Sequence, residues 1–136
     1  MTIYRLLSEI NPPASIQSIE AFQIRLGFNL PEDFVQFYSI CNGFDCEADV
    51  FTIKKLEEII DCKMDYGNNW FHFSNYLLSC DSWSLRIFEN HYEIFNLAEV
   101  EIVLTSSLNE FLERYLKGDI FDAGGLYDWH EEIKSK

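Results

Sequence analysis

The stretch Leu30 to Asp45, LPEDFVQFYSICNGFD, decides the fold, because it holds a helix start, a helix body and a helix stop. Pro31 suits the first helical position, where its missing N–H leaves no bond unmade. Glu32 and Asp33 follow in the first turn, where the positive end of the helix dipole favours carboxylates. Phe34, Phe37, Tyr38 and Cys41 recur at helical spacing and form one apolar stripe. Asn42 and Gly43 are the residue types that tolerate a left-handed C-terminal cap.

On the N-terminal side, Ser15 is placed to cap a helix over Ile16 to Leu26, in which Ile16, Ile19, Phe22 and Leu26 step by three or four. Gly27 ends it, and the short connection to Pro31 makes the two helices packing neighbours. Further back, Asn11-Pro12-Pro13 would stop a short helix over Thr2 to Ile10.

On the C-terminal side the pattern changes. Val50 to Ile53 reads as a short strand, and Leu56 to Ile60 as one or two helical turns with Glu57 and Glu58 outward. Gly67-Asn68-Asn69 is turn chemistry. Candidate strands follow at Trp70 to Phe73, Tyr76 to Leu78, Trp83 to Phe88, Tyr92 to Phe95 and Glu101 to Thr105. Asp81-Ser82 and Glu89-Asn90 are the polar breaks between them. Short connections favour antiparallel neighbours. A last helix spans Leu108 to Lys117, where Ser107 and Glu110 have capping-box spacing. Its Leu108, Phe111, Leu112, Tyr115 and Leu116 make one apolar face. Gly118 closes it. The tail bends at Gly124-Gly125, with Tyr127, Trp129 and Ile133 as packing residues. At 136 residues this is one domain of α+β class, a mostly antiparallel sheet with helices packed on one face.

The net charge is −13. That sign argues against direct contact with nucleic acid, whose phosphates attract Lys and Arg, and against an anionic membrane surface. It suits a basic partner, although a solvated acidic surface needs no partner at all. Residues 43–101 hold twelve acids and four bases, so the acid excess sits in the strand-rich middle. Aromatic residues make 16% of the chain, enough that some rings must reach the surface or line a groove. The four cysteines form no CxxC pair, and Cys41 falls on an apolar helix face, which makes it a small core residue. No stretch has the eighteen apolar residues of a membrane span and no secretory leader is visible, so the expectation is a cytoplasmic protein with reduced thiols.

No pattern marks a chemistry. His72, His91 and His130 share no short spacing with a cysteine, so no metal site is assigned. A pair such as Cys80 and His91 carries no motif of an activated nucleophile. No glycine loop is spaced to cradle a phosphate. The 23 acids are too many for any two to stand out. No catalytic residue, cofactor or metal is therefore expected. The candidate feature is the middle segment, where Trp70, Trp83 and Tyr92 interleave with Asp65, Asp81, Glu89 and Glu93. Rings supply contact area and acids select a basic partner. Alternating strand faces produce the same pattern with no partner.

The order of these elements resembles the SUKH superfamily, which groups a fungal cell-wall synthesis regulator with many bacterial toxin-immunity proteins. The resemblance lies in a first helix (Ile16 to Leu26), Leu30-Pro31, the acid Asp33, an aromatic helix and Asn42-Gly43. It continues through short aromatic strands to the Ser-led helix TSSLNEFLERYLKG. It covers about residues 15–118 and leaves 119–136 as a C-terminal extension of the single domain. It implies a non-catalytic protein-binding domain, an immunity protein that neutralises a cognate toxin by occluding its active site. The toxin would be basic, often a nuclease. A regulatory or scaffolding module for endogenous proteins is the alternative it implies. The residues expected to face the partner are Asp45, Glu47, Asp49, Asp61, Asp65, Trp70, Asp81, Trp83 and Glu89.

Overall fold

Local capping sets the bounds of the first helix. In the computed structural model, which describes residues 10–46, 51–61, 69–76, 81–89, 91–118 and 120–136, α1 runs Ile16–Leu26. Ser15 Oγ accepts from the Ser18 N–H at 3.0 Å, and Gly27 turns left-handed at φ 82°. The segment expected to be a helix over Thr2 to Ile10 lies outside the described residues, except for Ile10. The buried stripe of α1 is narrower than expected: Ile19 and Phe22 are in the core, whereas Ile16 is 71% exposed.

Helix α2, Glu32–Ile40, begins one residue later than the proline suggests. Pro31 is its N-cap, with extended backbone and no side-chain cap. Its C-cap, Cys41, is also extended, so the left-handed residue is Gly43 and not the helix end. The reason is a close approach. A Cβ on Gly43 would lie 2.3 Å from the carbonyl oxygen of Ile53, so the chain passes this point only without a side chain. Asn42 caps a different helix, α3 (Leu56–Asp61): its Oδ1 accepts from the Leu56 N–H at 3.0 Å, and its Nδ2 donates to Glu57.

Among the described residues six strands form one antiparallel sheet in sequence order. They are β1 Phe44–Cys46, β2 Phe51–Ile53, β3 Trp70–Tyr76, β4 Asp81–Ile87, β5 Tyr92–Asn96 and β6 Val103–Thr105. Two expectations are corrected here. Trp70 to Phe73 and Tyr76 belong to one strand, and Asp81-Ser82 opens β4 instead of breaking the chain. Tyr76 pairs with Asp81 and Asn75 with Ser82, so polar side chains sit on a ladder whose bonds come from the backbone. A bulge between His72 and Ser74 lets both Phe73 and Ser74 bury fully.

Helix α4, Leu108–Gly118, keeps half of the expected capping box. The Glu110 N–H donates to Ser107 Oγ at 3.2 Å, but the Glu110 carboxylate accepts from the Thr105 hydroxyl. The tail then forms a helix that the sequence reading missed, α5, Leu126–Lys134. It docks closely because a Cβ on Gly118 would meet Gly125 N at 2.3 Å. Its own Leu126 and Trp129 are buried, and Glu99 accepts from both Lys134 and His130.

Ring contacts from these helices land on one face of the sheet. Phe34 of α2 meets Phe73 and Tyr92 edge-on, each at 5.5 Å. Phe111 of α4 lies 5.2 Å from Phe73, and Tyr115 stacks on Phe51 at 4.1 Å. Each such buried ring contributes about 2–3 kcal/mol by removal from water. The opposite face carries Trp70 and Phe95 with the Arg86 guanidinium over both rings, 5.0 and 4.4 Å from their centroids.

Candidate functional site

The residues expected to face a partner do not share one surface. Trp83 is corrected outright. It is 1% exposed and packs among Phe51, Phe111 and Tyr127. The β4 alternation that places Leu85 and Ile87 in the core places Trp83 there too. Trp70 is half-buried on the face away from the helices. Asp45 is exposed on that same face and accepts from the Thr52 hydroxyl at 2.9 Å. Asp81 points to the helix side, where it accepts from Asn96 Nδ2 at 3.1 Å and from the Tyr127 hydroxyl. That hydroxyl is pushed above the ordinary tyrosine range by burial and then by Asp81. Glu89 is exposed in the β4–β5 turn. Glu47, Asp49 and Asp65 lie outside the described residues, as does the side chain of Asp61 at the end of α3.

A cleft of ≈ 560 Å³ lies elsewhere, between the start of α2 and the β4–β5 turn. Glu32, Asp33 and Gln36 form one wall, and Phe88, Glu89 and His91 form the other. The Phe88 and His91 rings stack 4.8 Å apart at 13°, and Phe88 remains 40% exposed. Three carboxylates and no Lys or Arg line the cleft among the described residues.

Beneath it Asp33 joins three elements. Its Oδ2 accepts from the Tyr92 hydroxyl on β5 and from the Leu108 N–H, at 3.1 Å, at the head of α4. The same N–H also reaches the Tyr92 oxygen at 2.7 Å. Asp33 therefore caps a helix 75 residues away in the chain. Burial, and then the hydrogen bond to Asp33, push the Tyr92 hydroxyl above the ordinary tyrosine range. Asp33 Oδ1 is buried and has no hydrogen-bond donor among the described residues.

The matching family model covers residues 13–114, more than half of the chain, and runs from just before α1 into α4. The chain belongs to the SMI1 / KNR4 family (SUKH-1). A search of curated proteins finds no match. Asp33 and Asn42-Gly43, on which the resemblance rested, have structural work in this SUKH-1 fold. Asp33 caps α4, Asn42 caps α3, and Gly43 lets the chain pass the end of β2. The end of α4 and the whole of α5 lie beyond the matched stretch. The cleft residues Glu32, Gln36, Phe88 and His91 were missed by sequence reasoning, because the two segments that form it are over fifty residues apart. Among the described residues no group of three or more His, Cys, Asp or Glu is placed to hold a metal ion, and no helix is long and apolar enough to cross a membrane.

Proposed function

We propose that this SUKH-1 chain is a non-catalytic immunity protein that binds and neutralises a cognate basic toxin domain, a nuclease being the fitting example, by covering its active site. The family membership carries the reading, and the charge of −13 supports it. An acidic surface competes with nucleic acid for a cationic groove and speeds encounter with it. The partner-facing set is Asp45, Trp70 and Glu89 with Glu47, Asp49, Asp61 and Asp65; Asp81 is left out because it faces the helix side, where Asn96 and Tyr127 hold it. Trp83 is removed from it by its burial.

The test begins with the tagged chain as bait in its native host, at low and high salt. The recovered toxin is then assayed with and without one equivalent of the chain. Stoichiometric inhibition that weakens as salt rises supports the reading, since screening acts on exposed charges. Inhibition indifferent to salt removes the electrostatic part and leaves occlusion. A stable complex with cell proteins that carry no toxic activity overturns the reading in favour of a regulatory or scaffolding module.

A further inference from the structure

The cleft between α2 and the β4–β5 turn combines features that together select one kind of ligand. The uncapped start of α2 opens there and alone would suit an anion. Glu32, Asp33 and Glu89 line the same space and repel one. Asp33 is turned to the fold: Oδ2 is held by Tyr92 and Leu108, and Oδ1 is buried with no donor among the described residues. The charge the cleft offers is therefore that of Glu32 and Glu89, both exposed along it with no Lys or Arg among the described lining residues, and it attracts a cation. A bare metal ion fits poorly, because the carboxylates do not converge as a ligand set. Phe88 adds a flat apolar surface, stacked on His91 and left in solvent beside two carboxylates. A planar cation that stacks on an aromatic ring and forks its N–H groups to carboxylates matches this lining. A guanidinium does both, whereas an ammonium only does the second.

We propose that this cleft takes an arginine side chain presented by a basic protein partner. The inference rests on the partner-binding reading above and gives it a specific contact. It also shifts the centre of that contact away from the Trp70 face, to a cleft in which only Glu89 was marked by the sequence. The volume of the cleft exceeds what one side chain needs, so water or neighbouring partner atoms share it.

The test uses the whole chain and a defined probe, N-acetyl-arginine methylamide, titrated to millimolar concentration with backbone amide NMR as the readout. The citrulline analogue is the neutral isostere, and the lysine analogue is the non-planar cation. Saturable shifts are expected at Glu32, Gln36, Phe88, Glu89 and His91 with arginine, weaker ones with lysine and none with citrulline. The double variant Glu32→Gln/Glu89→Gln should weaken binding on the order of tenfold. Phe88→Ala should reduce the preference for arginine over lysine while leaving the charge unchanged. All these side chains are exposed, so the thermal midpoint serves as a check that the fold is kept. Equal response to citrulline, shifts scattered over the acidic surface, or unchanged binding by the double variant would overturn the proposal. The two readings fail separately. A chain that inhibits its toxin but takes no arginine here loses only this contact. One that takes arginine here but binds no toxin keeps the cleft and loses the immunity role.

Discussion

Replacing Asp33 with alanine removes the acceptor that joins α2, β5 and α4. Two hydrogen bonds to a carboxylate are lost, from the Tyr92 hydroxyl and the Leu108 N–H. A hydrogen bond to a charged group contributes about 1.5–3 kcal/mol. Loss of a helix N-cap costs about 1 kcal/mol. The buried, unpartnered Oδ1 works the other way, since desolvating it already opposes folding. The Leu108 N–H also keeps the Tyr92 oxygen as an acceptor. The balance is a loss of about 2–3 kcal/mol for Asp33→Ala. At this chain length that lowers the thermal midpoint by roughly 8–12 °C. Tyr92→Phe keeps the ring that packs 5.5 Å from Phe34 and loses only the hydroxyl, for about 1 kcal/mol. Because both groups share the Leu108 N–H, their effects should not add. The double variant should show a coupling of about 1 kcal/mol. Urea unfolding followed by tryptophan fluorescence measures all four corners of the cycle. A loss below about 0.5 kcal/mol for Asp33→Ala, or zero coupling, would refute the joint as a stabilising element.

Other perturbations test other parts of the fold. Gly43→Ala combines a φ of 78° with a Cβ 2.3 Å from Ile53 O, so it should destabilise by more than about 2 kcal/mol; a midpoint within a few degrees of the parent would show that the strand edge yields. Ser74→Ala removes a hydroxyl that is fully buried and has no partner among the described residues, and should be neutral or raise stability by up to about 1 kcal/mol, checked by the same urea melts. Burial pushes the Tyr38, Tyr92 and Tyr127 hydroxyls above the ordinary range, so the folded state holds these protons more tightly than the unfolded chain does. Their contribution is complete below the unfolded value of about 10 and is lost as pH rises through it toward the folded values. The urea midpoint should therefore drop above about pH 10, with tyrosinate absorbance rising on unfolding, and a midpoint flat to pH 11.5 would contradict this.

Much of the helical architecture was legible because its causes are local. Ser15 and Gly27 bound α1, and both caps act within four residues of the groups that they satisfy. The apolar face of α4 and its Ser107 cap follow from the same short range. The strands were legible as strands but not in their limits. A ladder tolerates the polar pair Asp81-Ser82, since its bonds come from the backbone. Trp70 and Trp83 look alike as aromatic residues in strands, yet one lies under Arg86 on the open face and the other in the core. Each follows the register of its own strand, where a shift of one residue exchanges the faces. Helix α5 escaped notice because its capping residue, Gly125, carries no side-chain signal. Its place depends on the contact with Gly118.

What the sequence determined by itself was the class of the fold, the helices with local caps, the acidic balance and the likeness to a family. Each is written in residues a few positions apart or in the sum of the chain. Tertiary structure alone decided what the marked residues do. Asp33 looks like a first-turn acid of α2 and caps α4; Asn42 looks like a helix stop and caps α3. Gly43 looks like a helix cap and is a point of close passage. The cleft exists only where the start of α2 meets the β4–β5 turn. A side chain's hydrogen-bond capacity is fixed by its type, but the donor that meets it is chosen by packing across the fold.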